Sequence, residues 1–156
     1  MKKLFLAVTI FMISAATVNA QSKFSIAGNI GATTTTGGSL AAGADLQVDL
    51  PAATGLKITL SGGYESFGFN VNGVKFHSGF IPLLAGAKFN LSTNLYGHAQ
   101  LGYSVSTLKG GTGAFTYAPS IGYMVSKNFD ISAKYMGLSR NGATLSGLVA
   151  RLAYNL

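Results

Sequence analysis

From residue 24 onward the chain alternates apolar and small polar residues with a period of two. Leu40, Ala42, Ala44, Leu46, Val48 and Leu50 mark one face of a stretch whose other face carries Ala41, Gly43, Asp45, Gln47 and Asp49. Leu56, Ile58, Leu60 and Tyr64 oppose Lys57, Thr59, Ser61 and Glu65 in the same way. Leu83, Ala85, Ala87 and Phe89 oppose Leu84, Gly86, Lys88 and Asn90, and Leu95, Ala99, Leu101, Tyr103 and Val105 oppose His98, Gln100 and Ser104. Alternation over such lengths predicts strands rather than helices. Eight segments carry it, at about 24–33, 39–50, 55–66, 78–91, 94–106, 113–126, 128–138 and 144–156. Most reach the roughly 9–11 residues that a tilted strand needs to cross a bilayer, whereas soluble strands centre on about 5–6. The connections Thr33–Ser39, Glu65–Ser78, Ser106–Gly113 and Leu138–Thr144 are long, and Pro51–Gly55, Asn90–Asn94 and Ser126–Asn128 are short. Long and short turns in alternation predict an all-β fold, an eight-stranded antiparallel up-and-down transmembrane β-barrel.

The first twenty residues break the pattern. Lys2 and Lys3 precede an uncharged run from Leu4 to Ala16, and Val18-Asn19-Ala20 places small residues at −3 and −1 of a cleavage point before Gln21. This is the pattern of a cleavable signal peptide, and the run is shorter than the roughly 20 residues of a spanning helix. The expected organisation is a signal peptide over 1–20 and one barrel domain over 21–156. No 18-residue apolar run follows Ala20, so helical spans are excluded from the rest of the chain. The absence of Cys excludes disulfides, thiol chemistry, cysteine-ligated zinc and a lipid anchor on an N-terminal Cys.

Charge decides which face points outward. Only 10% of residues are charged, against about a quarter in soluble domains. All four acidic residues, Asp45, Asp49, Glu65 and Asp130, fall on the polar face of a strand or at its end, and so do Lys57, Lys88, Lys134 and Arg151. A soluble surface needs no such balance, whereas an enclosed lumen does, because buried charges must be paired. These eight residues are therefore expected to form a lumen charge network. It is either a plug of salt bridges or the lining of a selective pore, and the roughly side-chain-filled interior of an eight-stranded barrel favours the plug. Phe24, Phe89, Phe129 and Tyr154 at one rim, and Tyr64, Phe80, Tyr103, Phe115 and Tyr135 at the other, are expected as two aromatic girdles on the apolar face. The competing arrangement is a secreted or periplasmic lipocalin-like barrel, with the apolar face inside around an apolar ligand.

Other chemistry finds little support. His77 and Ser78 beside Glu65 suggest a rim-active lipid-modifying enzyme, but adjacent strand residues point to opposite faces, so no catalytic residues are assigned. His98 lacks a second His or Cys to share a metal, and neither a metal nor a cofactor is expected. The net charge of +7 yields no basic stripe with interleaved aromatics, which excludes nucleic acid. Lys109, Lys127 and Arg140 lie in loops or turns, within reach of anionic headgroups. The segment Glu65–Ser78 is the most distinctive surface: Phe67, Phe69, Val71, Val74 and Phe76 alternate around Asn72-Gly73, a type I′ hairpin signal. It is a candidate surface-interaction loop. Its aromatics either cap the barrel mouth or stand on a protruding ribbon open to strand addition by an unknown surface partner.

The last strand, Leu148 to Leu156, has apolar residues at 148, 150, 152, 154 and 156. It resembles the C-terminal recognition strand of outer-membrane barrels, with Leu156 where those most often carry Phe. Ile81-Pro82-Leu83-Leu84-Ala85-Gly86-Ala87-Lys88-Phe89 and Leu95-Tyr96-Gly97-His98-Ala99-Gln100-Leu101-Gly102-Tyr103 resemble the small outer-membrane β-barrel domain family common in Bacteroidota, akin to OmpA/OmpX-type barrels. The resemblance implies a monomeric, porin-like eight-stranded barrel in the Gram-negative outer membrane. It also implies delivery to the barrel assembly machinery through the C-terminal strand, contact with outer-membrane lipid, and no catalytic residues. The expected function is non-enzymatic: envelope integrity or surface interaction through the outer loops.

Overall fold

A computed structural model describes residues 22–71, 73–108 and 110–156. The expected signal peptide lies outside them, as do Asn72 and Lys109. The described residues form eight strands: β1 (Lys23–Thr33), β2 (Gly38–Ala53), β3 (Leu56–Val71), β4 (Val74–Asn90), β5 (Leu95–Ser106), β6 (Ala114–Met124), β7 (Phe129–Arg140) and β8 (Ala143–Asn155). Each pairs antiparallel with its chain neighbour, and β8 returns to β1 to close the barrel. Closure gives every strand a partner on both sides through the body of the wall, so most of its backbone groups are met there.

The two faces separate as the alternation predicts. Ile26, Ile30, Leu46, Ile58, Leu83, Leu101, Ile121, Ile131, Leu148 and Leu152 are exposed on the outer wall. Asp45, Asp49, Thr59, Glu65, Lys88, Gln100, Asp130, Lys134 and Arg151 are buried in the interior. Phe24, Phe89, Phe129 and Tyr154 sit at the rim that holds both chain ends, with Phe129 and Tyr154 packed at 5.0 Å between ring centroids. Tyr64, Tyr103 and Phe115 are exposed toward the other rim. Phe80 departs from the expected girdle. It pairs with the inward Glu65 and packs inside the barrel, because it is out of phase with Ile81, Leu83 and Ala85.

Strand lengths differ from expectation at the far rim. The segments expected as loops at 65–78 and 138–144 are mostly strand, and each pair of strands meets at a two-residue turn. Asn141 and Gly142 both adopt positive φ, 48° and 82°, and Gly73 has φ 82°. Turns with left-handed residues match the twist of paired strands and let both strands run to the tip. Two prolines interrupt the ladders. Pairing between β3 and β4 lapses where Gly63 and Tyr64 face Ile81 and Pro82. Between β6 and β7 it lapses where Ala118 and Pro119 face Tyr135 and Met136. A proline has no N–H to give its neighbour.

Gly142→Val forces a β-branched side chain into the left-handed region, at a cost of about 1–2 kcal/mol. Its denaturant midpoint in detergent is expected to fall, while Gly28→Ala, where a Cβ meets nothing within 4 Å, leaves the midpoint close to wild type.

Candidate functional site: a filled, charge-neutral lumen

The lumen has two sections of different chemistry. Toward the rim of the chain ends it is ionic. On β2 the inward positions include Asp45, Gln47 and Asp49, and the two carboxylates meet side chains from other strands. Asp49 accepts a hydrogen bond from Lys88 at 2.9 Å and one from Gln47 at 2.6 Å, and Lys57 stands 3.9 Å away. Lys57 is the most exposed of the eight charged residues, its side chain 29% accessible near the rim. The Lys88 ammonium also lies over the Tyr96 ring, 4.7 Å from its centroid.

A second knot centres on Asp45. Arg151 reaches it from β8 with Nη2 at 2.8 Å and Nε at 3.1 Å, a forked geometry that suits guanidinium and carboxylate. Lys134 approaches from β7 at 3.5 Å. Asn29 donates from its amide to Asp45 at 3.0 Å and also to Glu65. Arg151 extends its other nitrogen toward Asp130, 3.7 Å away. Asp130 in turn accepts from the Tyr96 hydroxyl at 2.6 Å and from Asn155 at 3.2 Å. Tyr96 thereby joins the two knots, with its ring under Lys88 and its hydroxyl on Asp130.

Backbone register explains why these groups meet. Arg151 pairs with Asn29, Asn29 with Gly43, and Gly43 with Glu65, a row across β8, β1, β2 and β3. Gly43 leaves the room for Glu65, since a Cβ there would stand 2.3 Å from Oε2. Glu65 differs from the other acids. Among the described residues it has no cation within ion-pair distance and accepts from the neutral Asn29. Neutral pairs complete the floor, with Thr59 and His98 joined at 2.8 Å and Gln100 donating to Ser61 at 2.8 Å.

Toward the opposite mouth the interior is mainly apolar, with the hydroxyls of Thr33, Ser104 and Thr116 buried at its wall and the last two joined at 2.6 Å. Phe67, 1% exposed, is packed with Ala41, Leu84, Ala114, Ala118, Met136, Leu138 and Val149. The Phe80 ring meets Phe67 edge to face, with centroids 6.0 Å apart. The candidate surface loop is therefore divided: Phe67 belongs to this septum and Phe69 packs on it, while Val74 and Phe76 are exposed above. Phe67 is not a surface residue, because its inward parity continues that of Glu65. The suggested hydrolase constellation does not form, since Glu65 turns into the lumen while His77 is exposed on the hairpin above. Among the described residues no three His, Asp or Glu side chains converge as a metal would require.

Sequence reasoning overlooked Asn29, Gln47, Tyr96 and the septum residues Leu84, Met136, Leu138 and Val149. Parity held the signal for Gln47, Leu84, Met136, Leu138 and Val149, which lie in phase with an inward charge on their own strands. Strands β1 and β5 carry no inward Asp, Glu, Lys or Arg to mark Asn29 and Tyr96.

No family model matches this sequence, and no curated protein matches it. Its fold is similar to that of Ail, the attachment invasion locus protein of Yersinia pestis, in a phospholipid bilayer nanodisc. That likeness has a TM-score of 0.62 at 14% identity and covers 87% of this chain and 100% of that one. The N-terminal β-barrel domain of Pseudomonas aeruginosa OprF gives 0.60 at 12% identity, over 86% and 97%. The de novo designed TMB2.3 gives 0.60 at 17% identity, over 88% and 98%. The architecture is thus that of small eight-stranded outer-membrane barrels. A designed barrel among the neighbours underlines that this likeness is one of fold.

Removing one partner of a buried ion pair costs on the order of 3–5 kcal/mol. Arg151→Ala, which strands Asp45, is therefore expected to lower the unfolding midpoint far more than Lys57→Ala at the half-exposed rim. Urea titrations of both variants in the same detergent check the order.

Proposed function

We propose that this chain is a non-enzymatic barrel of the Gram-negative outer membrane, monomeric and closed to solutes. It serves envelope integrity and surface interaction through the rim opposite its chain ends. The inverted polarity of the molecule carries the reading, with an aliphatic wall outside and balanced charge within. A lipocalin-like barrel in water needs the reverse, and here Lys88 and Arg151 are buried while Ile30, Leu101 and Leu152 are exposed. Bilayer hydrocarbon is the solvent in which that wall is stable.

The basic start, apolar run and Val18-Asn19-Ala20 support export through a signal peptide over 1–20. The alternating strand that ends at Leu156 supports recognition by the barrel assembly machinery. The glycine-rich stretches around Ala85–Phe89 and Gly97–Tyr103 support a place among the Bacteroidota-type small barrels. Outer-membrane lipid is the expected partner of the wall, and the eight lumen charges act as a structural plug. The septum around Phe67 adds an apolar barrier in series with that plug. An ion crossing it would exchange its water for little more than the neutral hydroxyls of Thr33, Ser104 and Thr116.

Two measurements test the reading. The protein is expected in the outer-membrane fraction as a band whose gel mobility shifts on boiling. In planar bilayers both the wild type and Arg151→Ala are expected to pass almost no current, although the variant unfolds more easily. A soluble band with no heat shift overturns the membrane reading, and large steady wild-type conductance overturns the closed lumen.

A further inference from the structure

Among the described residues the longest stretch of strand edge without a neighbour lies on β4 above Gly79. There the β3–β4 ribbon continues to the turn at Gly73 with its β4 edge open, while β2 flanks β3 as far as Phe69. The β4–β5 ladder begins at Phe80 and Ser106, and just above it Thr107 donates its N–H to the Gly79 carbonyl at 2.9 Å. Backbone groups alternate in direction along an antiparallel strand. Since Gly79 faces β5, the N–H and C=O groups of His77 and Lys75 face the same side, and among the described residues nothing meets them.

Side-chain polarity reverses on this ribbon. Lower on the wall the outward face is apolar, with Tyr64, Ile81 and Leu83 exposed. Higher up, that same face carries Ser66, Gly68 and Asn70 on β3 and Lys75 and His77 on β4. The face over the mouth is apolar instead, where Val74 and Phe76 stand 53% and 54% exposed. Asp45, Asp49, Glu65 and Asp130 are all buried in the lumen, so no Asp or Glu side chain is left on the surface to pair with Lys75.

We propose that this β4 edge, Val74–Ser78, receives an extended segment of another protein whose side chains alternate apolar and acidic. The inference rests on the outer-membrane reading, which turns this rim to the cell exterior. An added strand bonds to the backbones of Lys75 and His77, sets its apolar residues beside Val74 and Phe76, and sets its acidic residues beside Lys75. Main-chain bonds give such docking its affinity and the alternating side chains its specificity. The lysine also selects against a second copy, because two β4 edges laid side by side bring Lys75 and His77 against their own counterparts.

The test uses the full barrel in nanodiscs and a fluorescein-labelled peptide of alternating Val and Glu, with alternating Val and Lys as the control. Saturable binding of the Val-Glu peptide alone is expected. His77→Pro removes the N–H that faces the open side and costs no internal ladder bond, so binding is expected to weaken at least about tenfold. Lys75→Glu is expected to exchange the preference for Val-Lys. Heat-modifiable gel mobility is read for every variant. If it is retained while neither peptide binds, or while His77→Pro binds as wild type does, the docking edge is overturned and the barrel stands. If the wild type itself lacks the shift, the membrane reading falls and the proposal with it. Concentration-dependent dimers that His77→Pro dissolves would make a second copy the occupant and overturn the acidic partner.

Discussion

A carboxylate in a closed barrel has no water to fall back on, and the interior is organised around meeting that demand at Asp45. A guanidinium, an ammonium and an amide converge on it from β8, β7 and β1. Because those strands lie on both sides of the β8–β1 closure, the same contacts stitch the first strand to the last. The Arg151 side chain then carries the connection to Asp130, and Tyr96 carries it on to the Lys88 and Asp49 pair. Asp45, Asp49, Asp130 and Arg151 are each held by partners from more than one other strand, so correct register is a condition of neutrality. A slip of one residue in β2, β3, β4, β7 or β8 would turn its charge onto the apolar outer wall.

The two lumen sections divide the labour of filling the barrel. Ionic residues specify geometry through directional bonds, while the septum fills the barrel mainly by packing apolar side chains. Phe67 achieves this by lying across Gly147, where a Cβ would stand 2.8 Å from its ring. The wall glycines thus act as spaces for interior side chains, as Gly43 does for Glu65. Among the described residues neither section brings a nucleophile and a base together, and Val74 and Phe76 stand exposed above the septum.

Much of this was legible in the amino-acid order. Period-two alternation located all eight strands, and charge parity picked out the lumen residues, because both depend only on the geometry of the extended chain. Strand ends at the outer rim were harder. The stretch from Ser66 to His77 is rich in residues common in loops, yet the left-handed turn at Gly73 keeps both strands extended. Phe80 was misplaced because an aromatic near a rim suits either a girdle or a septum, and only its pairing with Glu65 decides. The joint role of Tyr96 could not be read at all, since it depends on the approach of Asp130 and Lys88 from other strands.

The two prolines carry a mechanical consequence. Pro82 and Pro119 thin the seams on either side of β4, β5 and β6, while the ladders inside that trio and around the remaining five strands run unbroken past mid-wall. The cylinder is therefore less a uniform tube than two stiff plates joined along two compliant joints. Lateral pressure on the wall would ovalise it about the axis set by those joints. The ionic clamp on Asp45 lies wholly within the larger plate, between β1, β2, β7 and β8, and would ride through that deformation unstrained.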